Sequence, residues 1–203
     1  MKIVAVFGSP RKGGNSDTLA EIFLQEAERM GAEVERFRLK DLKYNGCIAC
    51  NSCKTKSEKC VLKDDLIPVL EAVRETETLL VSTPVYFFDM PSQLKAFMDR
   101  WYSFFKPNYF ARKDLSRLPS GKNVIFVTSQ RAPESLFMDF IQRYNYMFKL
   151  FGFKRMHLIR GCKLGDDLND AAKREDLLEK ARQTASRVLA GEPSDADIPP
   201  YYR

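Results

Sequence analysis

Apolar positions along the chain alternate between two rhythms. Residues 2–7 form a short, mainly apolar run that stops at Gly8-Ser9-Pro10, and residues 16–30 then place Leu19, Ile22, Phe23, Ala27 and Met30 at helical spacing before Gly31. Residues 33–38 alternate with period two, as a strand does. Further on, the pattern predicts helices over 65–74, 91–105 (through Leu94, Phe97, Met98 and Trp101), 133–150 and 169–190. It predicts strands over 78–83, 123–129 and 155–160. Residues 45–60 are polar and carry no period. Five strands with helices between them imply an α/β fold, a doubly wound five-stranded parallel sheet of order 2-1-3-4-5 with both faces covered. Residues 1–191 read as one domain holding a cysteine-rich loop at 45–60, and the Pro- and Asp-rich residues 192–203 as a C-terminal arm.

Composition narrows the function classes. The 203 residues are 44% apolar and 30% charged, ordinary globular values. No apolar run approaches the roughly 20 residues that span a bilayer. The opening run is too short for a signal peptide and lacks a small-residue cleavage site, so a cytoplasmic protein is expected. Lys and Arg number 33 against 27 Asp and Glu, for a net charge of +6. The lysines are scattered among acidic residues without a basic tract, which argues against nucleic acid. They suit a solvated surface, an anionic cofactor or an acidic redox partner. The single histidine, His157, speaks against a His-centred triad or a His-rich metal site. No side chain stands out as a strong catalytic acid or base.

The turn after the first strand reads Gly8-Ser9-Pro10-Arg11-Lys12-Gly13-Gly14-Asn15-Ser16 and opens directly into a helix. A helix N-terminus offers unpaired N–H groups and a positive dipole end, a natural phosphate site. Ser9, Asn15, Ser16 and Thr18 add short hydrogen-bonding groups and Arg11 adds charge. A Walker loop is excluded because Gly13 is followed by Gly14-Asn15, and a dinucleotide fingerprint because Pro10 stands where its second glycine belongs. A plain strand-to-helix turn with Asn15 or Ser16 as N-cap would use the same residues.

The turn after the third strand reads Ser82-Thr83-Pro84-Val85-Tyr86-Phe87-Phe88-Asp89-Met90-Pro91 and is far more apolar than a surface turn needs to be. Such a turn at the carboxyl end of a sheet suits a ligand with a flat apolar face, or else an aromatic cap on the core. In a sheet of this order, ligands sit where strands one and three diverge, and these two turns leave those two strands.

Gly8-Ser9-Pro10-Arg11 with Asn15-Ser16, then Thr83-Pro84-Val85-Tyr86 and Gln93-Leu94-Lys95-Ala96-Phe97-Met98-Asp99-Arg100, resembles the NADPH-dependent FMN reductase family of flavodoxin-like proteins across about residues 1–160. The resemblance implies that Ser9, Arg11, Asn15, Ser16 and Thr18 hold the FMN phosphate. It also implies that Pro84, Val85, Tyr86 and Phe87 lie against the flavin ring. Its third, glycine-bearing loop corresponds here to Ser129-Gln130-Arg131-Ala132-Pro133, which has no glycine.

Four of the five cysteines fall at Cys47, Cys50, Cys53 and Cys60. Ordering the fourteen residues from Cys47 to Cys60 costs about 14–28 kcal/mol of backbone entropy, and bound metal, worth about 10–16 kcal/mol in structural zinc sites, would offset a large part of it. Three cysteines at successive spacings of three suit an iron–sulfur cluster, zinc is a second possibility and a hydrogen-bonded loop of free thiols a third. The spacing is similar to that of the iron–sulfur flavoprotein branch of the same fold. That resemblance implies four cysteine ligands to a [4Fe–4S] cluster and a homodimer or homotetramer. Cys162 lies outside the motif.

Three readings follow: an FMN-dependent oxidoreductase exchanging electrons with a cluster and with NAD(P)H or a redox partner protein; an NAD(P)H-dependent FMN or quinone reductase without a cluster; and a zinc-stabilised interaction protein. The aromatic run Trp101, Tyr102, Phe104, Phe105, Tyr109 and Phe110 predicts an apolar surface that a second copy would cover.

Overall fold

The computed structural model describes residues 1–165, 167–194, 196 and 198–201. Strands β1 (Lys2–Phe7), β2 (Glu33–Arg38), β3 (Thr78–Pro84), β4 (Lys122–Ser129) and β5 (Phe153–Gly161) form one sheet of order β2-β1-β3-β4-β5, with every pairing parallel. This is the expected doubly wound, flavodoxin-like sheet. Its helices are α1 (Asn15–Arg29), α2 (Ser52–Thr55), α3 (Leu66–Glu75), α4 (Ser92–Arg100), α5 (Met138–Leu150) and α6 (Glu175–Leu189).

Successive strand side chains point to opposite faces, and both faces are buried, so the middles of the central strands are apolar on both sides. Val4, Val6, Leu79, Val81, Val124 and Phe126 pack with α3, α4 and α5. Ile3, Ala5, Phe7, Leu80, Ile125, Val127 and Ile159 pack with α1 and α6. Among the described residues no helix is long and apolar enough to cross a membrane.

Three helices are shorter than their spacing predicts. The helix expected over 91–105 ends at Arg100 and tightens into a 3-10 turn, Trp101–Phe104. Trp101 and Phe104 are each 1% exposed, with Trp101 among Phe97, Phe148, Phe151 and Phe153. Two of the six residues of the expected intermolecular aromatic surface are therefore core, Tyr102, Phe105 and Tyr109 are half-buried, and Phe110 is strongly exposed, at 92%. The helix expected from 133 starts at Met138, because the backbone carbonyls of Ala132, Pro133 and Leu136 accept from the Gln130 side chain. The last helix starts at Glu175, after a 3-10 turn over Ala171–Lys173. The aperiodic segment 45–60 contains the single turn α2.

Within the expected arm 192–203, residues 195, 197, 202 and 203 lie outside the described residues. Three of the others touch the domain: Ser194 donates to the Met156 carbonyl at 2.5 Å, Ile198 packs on the core, and Tyr201 lies 6.4 Å from Tyr146, ring to ring.

Candidate functional site

The β1–α1 turn is shaped by close packing. Gly8 runs so near α4 that a Cβ there would lie 2.7 Å from Leu94, and Gly13 has φ +70°, which an L side chain disfavours. The Arg11 N–H donates to Ser9 Oγ at 3.1 Å and the Gly13 N–H to Asp17 Oδ2 at 3.2 Å, which curls the loop over the start of α1. Gly14, not Asn15 or Ser16, is the N-cap, and its carbonyl accepts from both the backbone and the hydroxyl of Thr18. Asn15 reaches the other way. Its carboxamide donates to the Asp167 carbonyl (3.2 Å) and accepts from the Ala171 N–H (2.8 Å), pinning the segment before α6 to the loop.

Of the five side chains expected to hold phosphate, Ser9, Asn15 and Thr18 thus make protein hydrogen bonds. Ser16 and Arg11 have no side-chain hydrogen bond or ion pair among the described residues. Asp17, not anticipated from the sequence, is 2% exposed. Burial raises its pKa against the opposing pull of Arg38, which lies 3.0 Å away and stacks on Phe7.

The turn after β3 forms a tight hairpin. Tyr86 and Asp89 exchange both backbone hydrogen bonds (2.6 and 2.9 Å), and Phe87 and Phe88 between them have φ of 38° and 70°. Asp89 fixes the hairpin to α5, accepting from Tyr144 Oη at 2.9 Å and from Arg143 at 3.1 Å. Phe87 is 96% exposed and Phe88 67%.

A cleft of about 150 Å³ joins these turns; its lining includes Arg11, Asn15, Pro84, Val85, Tyr86 and Gln130. Ser9, Ser16, Thr18 and Phe87 flank it in the same loops without lining it. The glycine-free third loop reaches the cleft after all, through Ser129, Gln130 and Arg131. Gln130, 4% exposed, braces that loop, since its Oε1 accepts from Arg160 while its amide holds the 132–136 carbonyls. The Leu164-Gly165 wall was not foreseen. Its only sequence signal is its place after β5, beside β4 in the sheet.

Cys47, Cys50, Cys53 and Cys60 line a second, smaller cavity of about 20 Å³ with Ile48, Arg100 and Tyr102. Ala49 (φ 54°) and Asn51 (φ 56°) flank Cys50 with left-handed turns, and α2 carries Cys53. None of the four is in a disulfide. Among the described residues, no three Cys, His, Asp or Glu side chains gather closely enough to hold one metal ion. Each sulfur nevertheless has a donor or a polar neighbour. The Ala49 N–H lies 3.4 Å from Cys47, Lys54 Nζ 3.4 Å from Cys53 and Arg100 Nε 3.1 Å from Cys60. The Ser52 N–H and hydroxyl hold the Cys50 thiol below its usual pKa. Burial lowers the pKa of Lys54, whose ammonium also sits 4.0 Å from the Tyr102 ring.

Residues 1–130 match the family model for NADPH-dependent FMN reductase. An iron–sulfur flavoprotein of Archaeoglobus fulgidus is 29% identical over 206 residues, covering 98% of this chain and 86% of that protein. An iron–sulfur flavoprotein of Methanocaldococcus jannaschii is 38% identical over 100 residues, 49% of this chain and 51% of that one, so here the match spans about half of each. Among solved structures, an FMN-dependent NADH-azoreductase from Bacillus anthracis in complex with FMN superposes with a TM-score of 0.69 at 17% identity, covering 93% and 99% of the two chains. An NAD(P)H:quinone oxidoreductase from Methanothermobacter marburgensis gives 0.70 at 16%, covering 93% and 97%. At these identities the superpositions speak for the fold.

Proposed function

The chain belongs to the NADPH-dependent FMN reductase family and is a flavin-dependent oxidoreductase, and on that premise we propose that it passes electrons between FMN and a [4Fe–4S] cluster. The observation that carries this reading is the lining of one cavity by all four motif cysteines, with two cations against their sulfurs. Three cysteines at successive spacings of three, with a fourth close behind, suit a cubane whose irons each take one thiolate better than zinc, whose structural sites use two separated pairs. When bound, FMN supplies coupled two-electron and one-electron chemistry and the cluster a one-electron carrier.

This chain's residues then have distinct tasks. Ser16, Arg11 and the free N–H groups at the start of α1 receive the phosphate, while Ser9, Asn15 and Thr18 shape the loop around it. Pro84, Val85 and Tyr86 flank the ring, with Phe87 at the hairpin tip. NAD(P)H or a redox protein exchanges electrons with the flavin, and the working form is a homodimer or homotetramer.

A second reading, an NAD(P)H-dependent FMN or quinone reductase without a cluster, draws on the lack of convergence among the cysteine sulfurs. The zinc-stabilised interaction protein is set aside, because the family is one of flavin reductases.

Anaerobic purification with iron, sulfide and FMN assays separates the two remaining readings. About four iron, four sulfide and one FMN per chain are expected, and Cys50→Ala should lose iron while keeping FMN. FMN without iron in the wild type would leave the cluster-free reductase standing.

A further inference from the structure

Arg100 ends α4 with a side chain that is 0% exposed, and all five of its N–H groups are used. Nη1 donates to the Asn45 carbonyl (2.9 Å) and Asp64 Oδ2 (2.7 Å). Nη2 donates to the Leu62 carbonyl (3.4 Å) and Asp64 Oδ1 (3.2 Å). Nε donates to Cys60 Sγ at 3.1 Å. Asn45 lies just before the cysteine segment, and Leu62 and Asp64 lie just after it. One side chain therefore closes the segment at both ends and touches the last of its four sulfurs.

A guanidinium suits this task and an ammonium does not. Its rigid plane presents a pair of parallel donors to a carboxylate while its Nε points elsewhere, whereas a lysine has one nitrogen for all partners. A brace for the fold alone would need only Asp64 and the two carbonyls. The bond to Cys60 is the contact such a brace leaves unexplained.

We propose that Arg100 is the positioning residue of the cysteine site: it sets the separation of the segment's two ends and places a cationic N–H on the Cys60 sulfur. This inference rests on the cluster reading above. N–H donors to ligand sulfurs help set a cluster's reduction potential and disperse the charge of its thiolates. Losing this donor should make the cluster harder to reduce and easier to strip.

The test is Arg100→Lys, prepared anaerobically beside the wild type and assayed for FMN content, thermal melting, the rate of iron loss to a chelator and the midpoint potential of the cluster. The variant is expected to keep one FMN per chain, lose iron at least tenfold faster and show a more negative potential. A folded variant with unchanged iron loss and potential would reduce Arg100 to a fold brace and overturn the inference, while wild-type iron content would leave the cluster reading intact. Should Arg100→Lys not fold, Asp64→Asn replaces it: the guanidinium keeps Cys60 but loses its ionic anchor, and a several-fold faster iron loss is expected. Iron loss at the wild-type rate in Asp64→Asn would likewise overturn the inference. Wild-type protein without iron would overturn the cluster reading and this inference with it.

Discussion

Arg100 and Asp64 form a two-pronged ion pair, at 2.7 and 3.2 Å, between the end of α4 and the end of the cysteine segment. The pair is almost closed to water, with the arginine side chain 0% and the aspartate 14% exposed. Removing one partner of such a pair leaves a charge buried without compensation, at a cost of about 3–5 kcal/mol. Arg100→Met and Asp64→Leu should each lower stability on that scale, and the double variant should recover part of the loss. Denaturant melts of the four proteins, read as a double-mutant cycle, check this.

The same pair sets an acid limit. Burial alone would raise the Asp64 pKa, but Arg100 and the Asn45 and Leu66 N–H groups outweigh it and hold the carboxyl below the usual range. An acid whose folded pKa is depressed contributes stability that is present above its unfolded pKa, about 3.9, and lost as pH falls through the folded value. The difference in melting temperature between wild type and Asp64→Asn should therefore hold steady from about pH 7 to 5 and shrink below about pH 4. A difference that grew on acidification would contradict the assigned direction.

At the β1–α1 turn, flavin binding and folding should respond to different residues. The Ser16 hydroxyl has no protein partner among the described residues, so Ser16→Ala should leave the melting temperature nearly unchanged. It should weaken FMN by roughly ten- to a hundredfold, since a hydrogen bond to a charged group is worth about 1.5–3 kcal/mol. Riboflavin, which lacks the phosphate, should bind both proteins alike. Asn15→Ala removes two bonds to the segment before α6 and should lower stability by about 1–3 kcal/mol as well. Fluorescence titrations with both flavins, beside thermal melts, distinguish the two residues.

Quaternary structure rests on less surface than the aromatic run suggests. With Trp101 and Phe104 in the core, Phe110 is the strongly exposed member of the run, and Ile48 and Val61 are exposed apolar residues lining the cysteine cavity. Light scattering should return a mass above the 23.4 kDa of one chain, and Phe110→Glu should lower it. A monomeric wild type at micromolar concentration would remove the homo-oligomer from the account.

The sheet and its order were legible in the chain because periodicity reports burial, and a strand such as β3, buried on both faces, reads as one apolar run. Both turns that line the cleft were legible for a related reason, as their residues are out of character for turns. What periodicity could not reveal was how polar side chains are spent. Asn15 resembles a ligand or a cap in the sequence but reaches residue 171, across 156 positions of chain. Arg100 reads as one more charge on a helix, yet its contacts lie 36 to 55 residues upstream. The aromatic run is only partly surface: Trp101 continues the apolar face of Leu94, Phe97 and Met98 and is buried with Phe104, while Tyr102, Phe105 and Tyr109 are half-buried.

The hairpin at residues 86–89 sets stability against function. Two-residue turns with positive φ at both central positions favour Asn-Gly, and here those positions hold Phe87 and Phe88. A non-glycine residue in the left-handed region costs about 1–2 kcal/mol. Against that strain stands the edge-to-face contact of Phe88 with Phe137 at 5.5 Å, a geometry worth about 0.5–1.5 kcal/mol. Phe87, 96% exposed, meets Phe88 edge-to-face at 5.6 Å but gains nothing from burial, so its place is better explained by what approaches the cleft. Replacing the pair, Phe87→Asn with Phe88→Gly, should stabilise the protein by about 1–2 kcal/mol, roughly 2–8 °C in Tm. It should also weaken electron transfer from NAD(P)H to an added acceptor, mainly through a higher KM, while FMN stays bound. Stabilisation with unaltered kinetics would make the two phenylalanines bystanders. Loss of stability would mean that the Phe88–Phe137 contact outweighs the strain.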